Sequence, residues 1–269
     1  MERASRQISF DLPDFSSRGE EDGAHLKLQI ATYLLSMIHF DRLRSEGWVP
    51  DILTEHSMGI YAALAASEAI TFEEGLWITQ SIGKVLEREE GASGGAMASI
   101  VGLAIEEVEK IIQDLNGFGL SIANYNGSMH YVLSGEEEGI EKAMGLALSR
   151  RAISATRLTF NVALHSSRLS AIREEIEELL KEIEVRSLRY PILNHWTVSP
   201  LRKEEVKEFL SIEIGKPVYW DRCVKMLIQE GVTQFIEVGH GTTLTKLIRW
   251  IDRNVEAFSA GGRIEAKAD

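Results

Sequence analysis

The chain has 269 residues, 44% of them hydrophobic and 26% charged, which suits one globular core or one core with a smaller inserted domain. Its net charge of −12 excludes a general nucleic-acid binder, which needs clustered Lys and Arg against phosphates. No apolar run approaches the ~20 residues of a membrane span, and no signal-peptide core opens residues 1–13. A cytoplasmic protein that binds neither membrane nor nucleic acid is therefore expected. The single cysteine, Cys223, excludes an internal disulfide and reads as a small buried hydrophobe within a helix.

Apolar residues at Leu26, Ile30, Leu34, Met37, Ile38 and Leu43 predict a helix over 24–46, ended by Gly47. Residues 48–53 read as a strand, 54–59 as a turn, and the alanine-rich run 60–66 as a helix. Another helix spans 72–90. The rhythm then changes to strand 96–101, helix 106–115, strands 119–123 and 129–134, helix 136–149 and strand 152–158. That β-α-β-β-α-β order is a ferredoxin-like split unit. It predicts a small domain at 95–159, inserted into a large α/β domain built from 1–94 and 160–269. Further on come a long amphipathic helix from Leu169 to Ile183, strand 190–193, helix 221–230, strand 233–238 and helix 242–251. The tail from Gly261 is expected to be disordered.

A serine that attacks an ester or thioester must be exposed, next to a base and beside backbone N–H donors. The strand, turn and helix from Leu53 to Ala66 place Ser57 where a sharp elbow would, with Gly59 giving room two positions on. On this motif alone, an N-cap serine opening a helix fits as well. Among seven histidines, His165 lies in a loop at the junction between the small domain and the following helix, a place where function often resides. No His, Cys or carboxylate pair has metal-ligand spacing, so no metal is expected.

The stretch His56-Ser57-Met58-Gly59-Ile60-Tyr61-Ala62-Ala63-Leu64 resembles the GHSxGEYAAL motif of malonyl-CoA:acyl carrier protein transacylases and polyketide-synthase acyltransferase domains. The resemblance continues at 95–98, at Asn124-Tyr125-Asn126-Gly127, at 162–166, at Pro217-Val218-Tyr219-Trp220 and at 236–241. It spans residues 24 to 260. It implies an α/β-hydrolase-like large domain with a parallel sheet, a ferredoxin-like small domain and an active site between them. It also implies Ser57 as the acyl-carrying nucleophile, with His165 as its base, held by a backbone carbonyl. The Met58 N–H would be an oxyanion donor, and Gln29, His56, Asn124 and Asn126 would line the cleft. The chemistry is ping-pong: an acyl group passes from coenzyme A to Ser57 and then to the phosphopantetheine thiol of an acyl carrier protein, with no cofactor. Arg202, Lys203 and Lys207, or Lys246, Arg249 and Arg253, are candidate carrier-docking patches on this acidic chain.

Four departures qualify the resemblance. Nothing before residue 24 matches the family's GQGSQ loop, which carries the second oxyanion donor, so the chain reads as N-terminally shortened; loss of one such donor costs about 10²–10³ in rate. Ile82 stands where malonyl-using members carry an arginine for the substrate carboxylate, and Lys84 and Arg88 point elsewhere on that helix. An acyl group without a free carboxylate is therefore expected. Glu55 replaces the first glycine of the turn, where it would raise the pKa of a nearby histidine or repel an oxyanion. Ile60 replaces a glutamate and reads as drift on a helix surface. Three functions remain open: an acyltransferase with an altered site, a thioester hydrolase on the same scaffold, or an impaired homologue acting as a binding subunit. A plain serine esterase fits less well, because its histidine falls near the C-terminus.

Overall fold

The apolar period of the first segment winds Ala24–Ser45 into helix α1 in the computed structural model, which describes residues 24–159 and 161–265. Helix α1 lies against α3 (Phe72–Ser93), and the two approach closely because glycines face the contact. A Cβ at Gly75 would lie 2.4 Å from the Tyr33 hydroxyl, and one at Gly83 2.4 Å from Leu26. Helix α3 starts with a capping box: Thr71 Oγ1 accepts from the Glu74 N–H at 3.1 Å, and Glu74 accepts from the Thr71 N–H at 2.6 Å.

Between these helices run β1 (Leu53–Thr54) and α2 (Gly59–Ala66). Strand β1 pairs in parallel with β6 (Ile192–Leu193). Both strands are shorter than the sequence suggests. Pro50 and Pro191 interrupt the predicted runs, and a residue without an N–H cannot donate to the ladder. Ile60, read from sequence as a surface position, is instead fully buried in the core with Leu64, Ile78 and Ile82.

Residues 95–157 form a four-stranded antiparallel sheet from β2 (Gly95–Val101), β3 (Ser121–Gly127), β4 (His130–Glu136) and β5 (Ser154–Arg157), in the order β3-β4-β2-β5. Helices α4 (Ile105–Asp114) and α5 (Glu137–Ser149) complete the β-α-β-β-α-β unit. Ile100, Val108, Ile111, Leu133 and Ile140 form its own buried core. Strand β2 begins at Gly95, where a Cβ would fall 2.5 Å from the Ala163 backbone nitrogen. The missing side chain thus lets the sheet seat against the loop that carries His165.

The predicted helix from Leu169 to Ile183 is broken. A 3₁₀ segment at Ser167–Ile172 precedes the short α6 (Arg173–Leu179). Ser166 and Ser170 hydroxyls donate to the carbonyls of Ala163 and Ser167, local bonds that compete with helix. Helix α7 (Val206–Ile212) and a 3₁₀ turn at Glu213–Gly215 lead to α8 (Trp220–Gln229), which buries Trp220, Cys223 and Val224. Burial pushes the Cys223 thiol up to about 12, so it is an inert core group.

Strand β7 (Gln234–Glu237) pairs in parallel with β8 (Glu256–Ser259), around α9 (Thr243–Ile251). The chain then continues as α10 (Ala260–Glu265), so the described part of the expected disordered tail is helical. Strand β8 escapes a periodicity reading because its inward residues, Ala257 and Ser259, are small or polar. Among the described residues, the parallel pairing expected of the large domain takes the form of these two short pairs and one isolated parallel bridge, Asn124 with Val218. No described helix is long and apolar enough to cross a membrane.

Candidate active site

Ser57 sits between β1 and α2 with φ 58°, in the left-handed region that L-residues seldom enter. It is not the helix N-cap. Met58 holds that position and makes no side-chain cap, so the alternative reading of Ser57 as a capping residue falls away. The elbow lifts the Ser57 hydroxyl to 2.6 Å from His165 Nε2. The Gly59, Ile60 and Tyr61 N–H groups bond back into the turn, while the Met58 N–H has no backbone acceptor among the described residues.

His165 comes from the loop after the four-stranded sheet and also has a positive φ, 57°. Its backbone N–H donates to the Ile214 carbonyl at 2.6 Å. Its Nδ1 faces two carbonyl oxygens, Lys216 at 2.9 Å and Glu213 at 3.2 Å. Carbonyls only accept, so Nδ1 carries the proton and the Nε2 lone pair faces the serine. Burial, reinforced by His195 and His56, lowers the His165 pKa to about 3, keeping the ring neutral at neutral pH. The arrangement can draw a proton from Ser57 during attack on a carbonyl carbon.

His56 Nε2 lies 2.9 Å from Asn126 Oδ1, and its ring meets Trp220 edge-on at 5.6 Å. Asn124 and Asn126 are both buried on β3, where two irregularities in the register with β4 fall at Ile122–Asn124 and Tyr125–Gly127. Such bulges re-aim side chains at the end of a strand. The Tyr125 N–H donates to Val218 and the Val218 N–H donates to Ala123, tying this strand to the segment before α8.

Two expected cleft residues stand apart from the dyad. Gln29 is buried between α1 and α3 with its amide 3.0 Å from His25 Nε2, and no hydrogen bond joins it to Ser57 or His165. Ile82 is 1% exposed within the apolar core. Residues 1–23, the stretch that holds no match to the GQGSQ loop, lie outside the described residues.

Glu55 raises the pKa of the neighbouring His56 as expected, but burial outweighs it and leaves that pKa lowered. The Glu55 carboxyl turns inward, accepting from the His195 N–H at 2.9 Å and meeting His195 Nδ1 at 2.7 and 2.8 Å. His195 Nε2 lies 3.9 Å from Glu213 Oε2, and the Tyr61 hydroxyl donates to Glu213 Oε1 at 3.3 Å. The His195 ring meets His165 edge-on at 5.7 Å. Sequence spacing missed His195, Glu213 and Tyr61; only the departure at Glu55 pointed there. His165, His195 and Glu213 bring ligand-type atoms within 4.8 Å of one another. Both His165 nitrogens are already engaged, by Ser57 and by carbonyls, so the cluster reads as a proton network rather than a metal centre.

These buried groups make stability depend on pH. Burial lowers His25 to about 4 and both His165 and His195 to about 3. Below their ordinary value of 6.5 the unfolded chain takes up protons that the fold refuses, so stability is lost as pH falls. Burial also raises Glu55 and Glu213 to about 8. Above their ordinary 4.5 the unfolded chain releases protons that the fold keeps, so these two drain stability as pH rises. Below about pH 6 the histidines outweigh the two glutamates, and above about pH 7 the glutamates lead, joined in the alkaline range by the raised Cys223 thiol. Thermal melts are expected to show a maximal Tm near pH 6–7, falling on both sides; a monotonic rise from pH 5 to 8 would contradict this.

The elbow serine and its carbonyl-held histidine define a serine-dependent acyl-transfer protein, an architecture distinct from a Ser-His-Asp hydrolase. The chain belongs to the acyl transferase domain family, whose model matches residues 24–260. It is 32% identical, over 86% of its length and 80% of the relative's, to the polyketide biosynthesis malonyl CoA-acyl carrier protein transacylase PksC of Bacillus subtilis. It is 27% identical to the malonyl CoA-acyl carrier protein transacylase of the same organism, covering 91% of this chain and 78% of the relative. An acyl carrier protein S-malonyltransferase from Vibrio cholerae superposes with a TM-score of 0.87 at 26% identity, covering 96% of this chain and 86% of the other. A malonyl-transacylase in complex with its type II PKS acyl-carrier protein superposes at 0.89 with 25% identity, covering 96% and 85%. The chain is accordingly an α/β protein of the transferase class.

Proposed function

We propose that the protein moves an acyl group without a free carboxylate from a coenzyme A thioester, through an ester on Ser57, to the phosphopantetheine thiol of an acyl carrier protein. The observation that carries this is the 2.6 Å approach of Ser57 Oγ to a His165 Nε2 whose partner nitrogen is fixed by carbonyls. As the Oγ–carbon bond forms, the hydroxyl proton passes to His165. The carbon–sulfur bond then breaks and the thiolate takes that proton. The carrier thiol repeats the sequence in reverse on the ester. The Met58 N–H donates to the oxyanion. His56, positioned by Asn126, lines the site with Asn124. Nucleophile and base are both side chains, so the steps need no cofactor.

The relatives are named for malonyl transfer, and Ile82 is where this chain parts from them. Placing a carboxylate beside a buried isoleucine leaves the charge unpaired. We further propose that the small domain at 95–159 closes one side of the site, within a cytoplasmic protein. An acidic carrier finds its complement on α9, where Lys246 and Arg249 have no acid between them. The alternative patch interleaves Arg202, Lys203 and Lys207 with Glu204, Glu205 and Glu208, and Arg202 is already paired with Glu205.

Intact-mass spectrometry of the protein mixed with acetyl-, butyryl- and malonyl-CoA tests the reading. One acyl adduct per chain is expected with the uncharged donors, and malonyl loading slower by about 10²-fold or more, the scale of an unpaired buried charge. Equal loading by malonyl-CoA sinks the substrate assignment. Free acid released without carrier makes the protein a hydrolase, and no adduct with any donor makes it a binding subunit.

A further inference from the structure

Glu55 sits two residues before the nucleophile, where the family motif has glycine, yet it is only 3% exposed and spends its carboxyl on His195, 140 residues away. The far edge of His195 faces Glu213. Glu213 is the residue on which the arrangement converges: its backbone oxygen lies 3.2 Å from His165 Nδ1, its Oε1 accepts from Tyr61, and its Oε2 faces His195. His195 is held in turn between His165 and Phe209, with ring centroids 5.7 and 5.5 Å away.

We propose that Glu213, braced by Tyr61, His195 and Glu55, is a positioning residue for His165, fixing the ring through its backbone carbonyl and tuning the base through its buried carboxyl. Ser-His-Asp enzymes place an acid directly on the base. Here a carbonyl takes that place, and the acid stands behind it on the same residue. The titratable groups facing the cluster are His56, His165, His195, Tyr61, Glu55 and, toward Glu55, Cys223. Burial holds a proton on Glu213 at neutral pH, with the Glu55 carboxyl adding to the rise and Tyr61 opposing it. Losing that proton in the alkaline range adds negative charge beside His165, favours the imidazolium and speeds proton removal from Ser57.

The inference rests on the Ser57–His165 reading above, so the test uses a fluorophosphonate, which reports Ser57 nucleophilicity whatever the acyl specificity. Labelling rate constants are measured from pH 6 to about 9.5, with titrated end points, alongside acyl-CoA loading. Wild type is expected to show an alkaline rise. Glu213→Gln should label close to wild type near pH 6, where Glu213 is itself uncharged, but lose the rise and label about tenfold more slowly at about pH 9.5, as expected for loss of an ionisable group beside the base. Tyr61→Phe, a milder change, should label about threefold more slowly and move the rise to higher pH, because the lost hydroxyl stabilised the Glu213 anion. Wild-type rates and profiles in both variants overturn the proposal. So does a loss confined to the fraction of labelled protein, with rate constant and profile unchanged, which is a folding effect. Wild type that labels but takes no acyl group from coenzyme A overturns the proposed function alone. Wild type that never labels overturns both.

Discussion

Replacing Ser57 with alanine is expected to abolish acyl-enzyme formation and to lower carrier acylation by about 10⁴–10⁶, the range seen when a nucleophile that acts as a unit with its base is removed. The change deletes only Oγ and its 2.6 Å contact with His165. The backbone of the elbow and the packing of α2 do not depend on that oxygen, so the thermal midpoint should move by no more than a degree or two. Mass spectrometry with an uncharged acyl-CoA checks the adduct, and a carrier-thiol assay checks turnover. An alanine variant that still accumulates a stoichiometric ester would move the nucleophile to another residue.

His165→Ala is expected to lower the acylation rate by about 10³–10⁴, somewhat less than loss of the serine, because the hydroxyl and the Met58 N–H remain. The ring fills a buried site and satisfies the Glu213 and Lys216 carbonyls, so some stability is lost as well. Free imidazole separates the two effects. It can occupy the space the ring leaves, accept the Ser57 proton and restore part of the rate without restoring the thermal midpoint. A rate that falls less than tenfold, or that follows stability alone, would remove His165 from the proton path.

Ser57 and His165 were legible in the sequence because each lies in a short local motif, and the elbow needs only neighbours. The four-stranded sheet was legible for a similar reason: its strands and helices alternate at near-regular spacing, and its core residues keep their periods. The network behind the site was not. Glu55 meets His195 across 140 residues, and the acceptors for His165 Nδ1 are backbone oxygens, which every residue has and no sequence marks. Gln29 was placed by resemblance beside the cleft, but the close seating of α1 on glycines of α3 turns it toward His25. Ile60 misled because a polar residue in a motif suggests a wet position, whereas the alanine-rich helix is buried on nearly every side. The prolines at 50 and 191 shortened strands whose side chains alone looked continuous.

The left-handed backbone at Ser57 and at His165 has a consequence for how this sequence drifts. Each non-glycine residue in that conformation gives up about 1–2 kcal/mol, and together they give up a sizeable part of the ~5–15 kcal/mol that holds a typical domain folded. Glycine at Ser57 would return part of that energy, whereas glycine at His165 would also forfeit a buried ring and its bonds to two carbonyls. A lineage freed from acyl transfer and filtered only for folding would therefore slide toward glycine at position 57, while the packing of the His165 ring holds the second position back. Serine at the elbow stands uphill of the folding gradient, and its hydroxyl chemistry gives the chain a reason to stay there.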